Sequence, residues 1–524
     1  MRARLAALVI CLVASPAAAG TLDEASRLLD DWDPVAAELR LADAEAAGEA
    51  GDRLTYLKVR LRLLQGAYGE AVELLTEIQA FVLTEPGAAH TARAAVSAET
   101  EVKHYTESET PDGHWLIRHK AGKDAVLVPL LRAFLPRIRQ RLGDAFGVFP
   151  DHPVILEIYP ETAALARVTG LKESEIEASG TIAIAKYNRL MITSPSALHR
   201  GYGWVQTIAH EYIHMLVNKK AGKHVPIWLH EGIAKYHETY WDSDIGHALN
   251  PAEESIVAVA LRDKQLITFD EMSPSMALLP TQRHTALAFA EVQTVIQFLL
   301  EKHGADSVQR VLEALGSGQA KDEREALKQV TRLSFKAFER NWRSWLKRRR
   351  YRVRKDAGIV EMRFKKSDRD PKKADLDGLR KEIRDFVHLG DLLRGKDRHK
   401  AGLKEYRKAL AKAGGGQDAL VRARIASAHL ALDQPQPAID AVAGVPDLHP
   451  GHMMSYVLLG EGHLKLGAHP EARRWLGRAL RYNPYDVKIH ADLKTACDAL
   501  GDEACANRAA ESIRILQGSR KESP

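Results

Sequence analysis

The chain has 524 residues, with 75 Lys and Arg against 69 Asp and Glu, a net charge of +6 and three cysteines. That length allows two or three domains, and so few cysteines exclude a small disulfide-held scaffold. Between Arg343 and Arg380 stand 15 basic and 6 acidic residues, a local excess greater than that of the whole chain; the run lacks the interleaved aromatics of a nucleic-acid binder, so no nucleic-acid partner is expected.

The opening "MRARLAALVICLVASPAAAG" has two arginines, an apolar run from Leu5 to Val13, and small residues at Ala17 and Ala19. This reads as a signal peptide over residues 1–19, with an exported chain, periplasmic or secreted, starting near Gly20. Cys11 follows Ile10 rather than a small residue, which argues against a lipid anchor. No later stretch of about 20 apolar residues exists, so no transmembrane segment is expected in the mature chain.

Residues 20–110 are Ala- and Leu-rich with helical spacing. "LRLLQGAYGEAVELLTEIQAF" reads as two helices turning at Gly66, with Ala71 where they pack, a pattern that resembles a tetratricopeptide hairpin. From residue 115 the character changes. "VPLLRAFLPRIRQRLGDAFG" predicts a helix, "HPVILEIYP" a strand, and "GTIAIAKYNRLMITSP" a hairpin turning at Asn188. A compact α+β domain is expected over 115–350.

Within it, "GWVQTIAHEYIHMLVNK" carries Trp204, Ile208, Tyr212 or Ile213, and Leu216 at helical spacing. His210 and His214 are four apart, so they share one helical face and can converge on one ion. Glu211 is displaced around the helix, where it would reach a water rather than the ion. A site of this type needs a third ligand. In "PIWLHEGIAKYHETYW" Pro226 precedes a helix whose buried face is Ile227, Trp228, Leu229, Ile233 and Ala234, and Glu231 lies among them. A carboxylate there is costly to bury unless something pairs with it, and a metal ion would.

Together, "TIAHEYIHMLV" and "PIWLHEGIAKY" resemble the gluzincins, zinc peptidases of the peptidase MA-like group. The resemblance covers roughly residues 115–350. It implies one Zn2+ ion held by His210, His214 and Glu231, with Glu211 as general base toward a zinc-activated water that hydrolyses peptide bonds. It also implies an edge strand beside the substrate, matched by Asn188–Ile192. Two positions depart from relatives. Phe289 replaces a tyrosine that would stabilise the oxyanion, leaving His284, Tyr236 or Tyr240 as substitutes, and Lys235 replaces an outer-shell acid, for which Glu238 is the candidate replacement. His224 and His230 read as outer-shell or surface groups.

Residues 351–380 form a basic linker. Beyond it, over 381–517, Gly390, Ala426 and Gly460 recur at spacings of 36 and 34, close to the tetratricopeptide period of about 34. Gly460, Ala472, Ala479 and Pro484 complete one repeat, Ala426, Ala438 and Pro450 the one before it, and Gly390, Tyr406 and Ala409 the first. Cys497 and Cys505 flank the turn of a last hairpin, where a disulfide would staple it. The fold class is thus an α+β gluzincin-like metallopeptidase domain flanked by all-α helical-hairpin repeats. The function expected is an exported zinc metallopeptidase acting on a peptide or protein, with repeats that bind peptide or a protein partner. The alternative is a catalytically weak or degenerate zinc-binding adaptor in an envelope complex.

Overall fold

A computed structural model describes residues 18–222, 225–242, 248–354, 376, 379–413 and 418–521. All but the last two residues of the expected signal peptide, most of the expected basic linker and His224 lie outside the described residues. The chain divides into two compact units, Met1–Thr100 and Glu101–Pro524.

The first unit is helical. Asp33 accepts a hydrogen bond from the Ala36 backbone amide, and Pro34 supplies the first residue of the helix Pro34–Ala46. Helices Asp52–Leu64 and Tyr68–Glu77 form a hairpin through Gly66, with Leu57, Leu61 and Ala71 buried.

The second unit is built on a five-stranded sheet in the order β1 (Thr106–Glu109), β2 (Trp115–His119), β3 (Val154–Tyr159), β5 (Arg189–Thr193) and β4 (Ala183–Lys186). β2, β3 and β5 are parallel, and the two edge strands run antiparallel to their neighbours. The apolar run of β3 is buried on both faces, as a central parallel strand requires. Its one acid, Glu157, is matched from both sides: Arg118 Nη1 of β2 and Arg189 Nε of β5 each lie 3.4 Å away, and Tyr159 Oη donates to it at 2.6 Å.

The edge strand differs from expectation. Asn188–Ile192 belongs largely to β5, which is fully buried between β3 and β4. The free edge is on β4. Tyr187 and Asn188 have φ of 55° and 58°, the left-handed pair of a tight two-residue hairpin turn, so β4 folds back outside β5.

The helix Trp204–Ala221 packs beneath β4 and β5, with Trp204, Ile208, Tyr212, Ile213 and Leu216 all fully buried and Trp115 against Tyr212 at 5.1 Å between ring centroids. The helix Ile227–His237 lies between it and the long helix Gln282–His303. Gly232 permits this contact, because a Cβ there would sit 2.9 Å from the Val292 carbonyl oxygen.

Glu291 on the long helix is fully buried and accepts the Ile267 backbone N–H at 3.1 Å. Burial, only partly offset by that bond and by Arg343, pushes its carboxyl up to about 8. The folded chain then keeps this proton while the unfolded chain has lost it, so stability should fall as pH rises from about 4.5 to about 8 and level off above. Glu291→Gln is expected to remove that decline and to be a few kcal/mol more stable than the parent at pH 8. Thermal unfolding across this range checks it, and an unchanged slope would refute the assignment.

Four helical hairpins follow: Lys381–Arg394 with His399–Lys412, Asp418–Ala431 with Pro435–Val442, Met453–Lys465 with His469–Leu480, and Val487–Ala499 with Glu503–Lys521. Ala409, Ala426, Ala438, Ala472 and Ala479 are fully buried at the helix contacts. Cys497 and Cys505 form a disulfide with Cα atoms 5.9 Å apart. The first two hairpins pack around two cores separate from that of the mixed domain, and the second of these takes in Leu458 and Leu459 of the third hairpin. The last two share the core of the mixed domain, through Leu476, Leu480, Ile489 and Leu493. Trp204 Nε1 donates to the Leu480 carbonyl at 3.0 Å, Tyr485 Oη to Asp124 Oδ1 at 2.7 Å, and Arg481 pairs with Asp242. The fit is close at Gly201, where φ is +66° and a Cβ would lie 2.0 Å from the Tyr482 carbonyl oxygen.

Candidate metal centre

One cavity of about 850 Å³ is lined by His210, Glu211, His214 and Glu231, by β4, by Phe289, and by Leu448–Gly451 and Tyr482 of the repeats. The helix Trp204–Ala221 presents Gln206, His210, His214 and Asn218 at four-residue spacing, so all four share one face.

The two histidines meet a carboxylate from the next helix. Glu231 Oε2 is 3.1 Å from His210 Nε2 and 3.5 Å from His214 Nε2. Zinc ligands at bonds of about 2.0–2.1 Å in tetrahedral array stand roughly 3.3 Å apart, so these three donor atoms are spaced to share one such ion. The donor atoms of His210, Glu211 and His214 also lie within 4.8 Å of one another.

The outer contacts fix which nitrogen of each ring faces Glu231. His210 Nδ1–H donates to Glu238 Oε2 at 2.9 Å. His230 Nε2–H donates to Asn218 Oδ1 at 3.2 Å, which leaves His230 Nδ1 to accept from His214 Nδ1–H at 2.6 Å. In the chain by itself His210 Nε2–H donates to Glu231 Oε2, and a metal displacing that proton would meet the Nε2 lone pairs of both rings. Glu238 is itself held by Gln206 Nε2 at 2.6 Å and Lys235 Nζ at 2.7 Å, and Lys235 also faces Glu253 at 3.4 Å.

The electrostatics follow from burial opposed by neighbours. Burial pulls the His210 imidazole down, but Glu231 and Glu238 outweigh it and hold it up at about 10. Burial pushes Glu231 up, yet His214 and His210 keep it well below the usual carboxylate range. Glu238 is likewise brought down to about 2, against burial, by Lys235 and His210. Glu211 is raised, because burial outweighs the attraction of His214 and His210. The buried Glu211 and Glu238 and the partly buried Glu231 surround two imidazoles, a donor set that suits a dication.

None of the three oxyanion candidates lines the cavity. His284 is exposed at the start of its helix, its Nδ1 2.7 Å from Thr281 Oγ1. Tyr236 is five residues past Glu231, on another side of the helix, and stacks near His237 and Tyr240; Tyr240 lies beyond the helix end. Phe289 does face the site, with its ring 6.0 Å from that of His210. Gln206 and Asn218 were missed in the sequence, although their four-residue spacing from the histidines marks them. Tyr482 had no such signal: its ring reaches within 3.8 Å of where a Cβ on Gly203 would stand, from a repeat far along the chain.

Residues 138–348 match the family model described as Peptidase MA superfamily. No curated protein matches the chain. Among solved structures, a thermophilic TPR protein from Thermus thermophilus is similar at 22% identity over 26% of this chain and 75% of that one, with a TM-score of 0.24. MamA aligns at 16% identity over 29% of this chain and 85% of its own, with a TM-score of 0.23. Native yeast LTA4 hydrolase aligns at 10% identity over 78% of this chain and 66% of its own, with a TM-score of 0.31.

Proposed function

We propose, from the match of residues 138–348 to the Peptidase MA superfamily model, that the chain is an exported zinc metallopeptidase in which His210, His214 and Glu231 hold the metal and Glu211 is the general base. The observation that carries this reading is the approach of both Nε2 atoms to one oxygen of Glu231, at 3.1 and 3.5 Å. Bound there, zinc would polarise a scissile carbonyl and make water more acidic. Glu211 takes the proton from the attacking water and passes it to the leaving amine. Its raised affinity for a proton suits both steps.

The substrate lies along β4. Among the described residues this strand pairs with β5 alone, lines the cavity, and its Ala185 backbone amide hydrogen-bonds Glu211. A peptide added as a sixth strand would run past the base. Leu448–Gly451 and Tyr482 are also part of the lining, so the repeats act as a wall of the cleft as well as a surface for protein partners. Export rests on the N-terminal signal pattern, and the Cys497–Cys505 disulfide suits an oxidising compartment. No helix of the described residues is long and apolar enough to cross a membrane.

A second reading, a zinc-binding adaptor with weak or no turnover, is favoured by Phe289 and by the distance of His284, Tyr236 and Tyr240 from the cavity lining. Losing one oxyanion donor costs about 10²–10³ in rate. Metal content by mass spectrometry, with cleavage of a peptide library by the same sample, decides. One zinc per chain with cleavage supports the peptidase; zinc without cleavage supports the adaptor; no zinc after reconstitution overturns both.

Glu238→Gln keeps the shape but loses the charge that orients His210. It is expected to weaken zinc binding about 10–100-fold, read by competition with a chelator. Unchanged affinity would mean that Glu238 serves only Lys235.

A further inference from the structure

A second cavity, of about 480 Å³, lies where the helix Leu127–Phe146 meets the last two hairpins of the repeats. Its lining holds six arginines, Arg137, Arg473, Arg474, Arg478, Arg481 and Arg508, and a single carboxylate, Asp502. Asp502 is taken by Arg473, at 2.7 Å, and Arg481 pairs with Asp242 outside the lining, which leaves the lining strongly basic. Arginine cannot shed its charge at any physiological pH, so repulsion among these groups is not relieved by deprotonation, as it would be among lysines.

Helix ends do not account for the cluster. Basic residues near the end of His469–Leu480 complement the negative end of that helix. Arg137, however, is in the middle of Leu127–Phe146, and Arg508 is in the first half of Glu503–Lys521, away from the negative end of either. Three separate helices bring arginines to the lining of one concavity. The groups are also pre-positioned: Arg137 and Arg481 lie over the Trp241 ring at 5.9 and 5.0 Å, and Arg481 lies 5.8 Å from the Phe134 centroid. The Nε–H of Arg481 is a buried donor without a hydrogen-bond partner among the described residues. The disulfide at Cys505, itself part of the lining, fixes the helix that carries Arg508.

We propose that this pocket is a binding site for a compact multivalent phosphoryl anion, a pyrophosphate or phosphomonoester group, either free in solution or borne on a lipid. Planar guanidinium forks match such oxygens two at a time, and the volume falls in the range of about 300–1,000 Å³ used for small ligands. The site is separate from the metal centre and stands whether or not the chain is a peptidase.

The test is calorimetric titration of the full mature chain with inorganic pyrophosphate. It compares Arg137→Gln/Arg508→Gln with Arg141→Gln/Arg514→Gln, a pair of the same net charge change whose residues are exposed on the same two helices and outside the lining. Saturable one-to-one binding by the parent is expected, weakened about tenfold or more in the pocket pair and unchanged in the control pair. No saturable binding by the parent overturns the proposal, and so does equal weakening in both pairs, which would mean diffuse charge attraction. Thermal melts of all three proteins exclude misfolding as the cause. Sedimentation with phosphatidylcholine vesicles, with and without phosphatidic acid, separates the sources: co-sedimentation lost in the pocket pair assigns a lipid phosphate, and pyrophosphate binding without co-sedimentation assigns a soluble ligand.

Discussion

Glu211→Gln is expected to lower kcat for peptide hydrolysis by about 10²–10⁴-fold while the chain still binds one zinc ion. Gln has the same shape, and its amide oxygen can still accept the Ala185 N–H that Glu211 accepts in the parent. The buried site therefore keeps its packing. What the amide lacks is the ability to take a proton and return it. His210 Nε2, His214 Nε2 and Glu231 Oε2 are untouched by the change, so the metal-holding set persists. Zinc content and steady-state kinetics on one preparation check this. A variant with parental kcat would remove Glu211 from the role of base, and a variant without zinc would make it a ligand.

Glu231→Ala is expected to abolish stoichiometric zinc and hydrolysis together, with a loss of zinc affinity greater than the roughly 10–100-fold of an outer-shell change. Glu231 lies 3.1 and 3.5 Å from the two imidazole Nε2 atoms, and it comes from a different helix. Without it, two nitrogens on one helical face remain. The loss also removes one of the two carboxylates that hold the His210 imidazole up at about 10. Zinc titration monitored by mass spectrometry, beside Glu238→Gln, separates the two roles. Retained tight zinc in Glu231→Ala would require another third ligand.

The helical pair at the centre was legible because periodicity and burial coincide there. Trp204, Ile208 and Leu216 recur at helical spacing and are fully buried, and that register alone puts His210 and His214 on one face. Glu231 could be picked out because a carboxylate inside an apolar helical run needs a partner. The repeats were legible for a similar reason: small residues recur where helix backbones touch, as Gly460 does, where a Cβ would come 2.5 Å from Leu476. The edge strand was not. "GTIAIAKYNRLMITSP" reads as two strands either way, and which one is outermost depends on whether β5 finds β3. Tyr236, five residues past Glu231 on the same helix, is turned away from the cavity lining, which proximity along the chain does not reveal.

By itself, the sequence determined the local geometry: which segments are helices, which histidines share a face, where repeats begin and end. These follow from the period of side chains along a single element, a property each segment carries alone. Tertiary structure decided everything that depends on two distant surfaces meeting. The sharing of Glu231 between two histidines, the closing of the cleft by Tyr482 and Leu448–Gly451, and the gathering of six arginines from three helices all come from packing across long sequence separations. The physical reason is that shape complementarity between buried faces, such as Trp204 beneath Leu480, is set by whole surfaces and leaves no periodic mark on either strand of sequence.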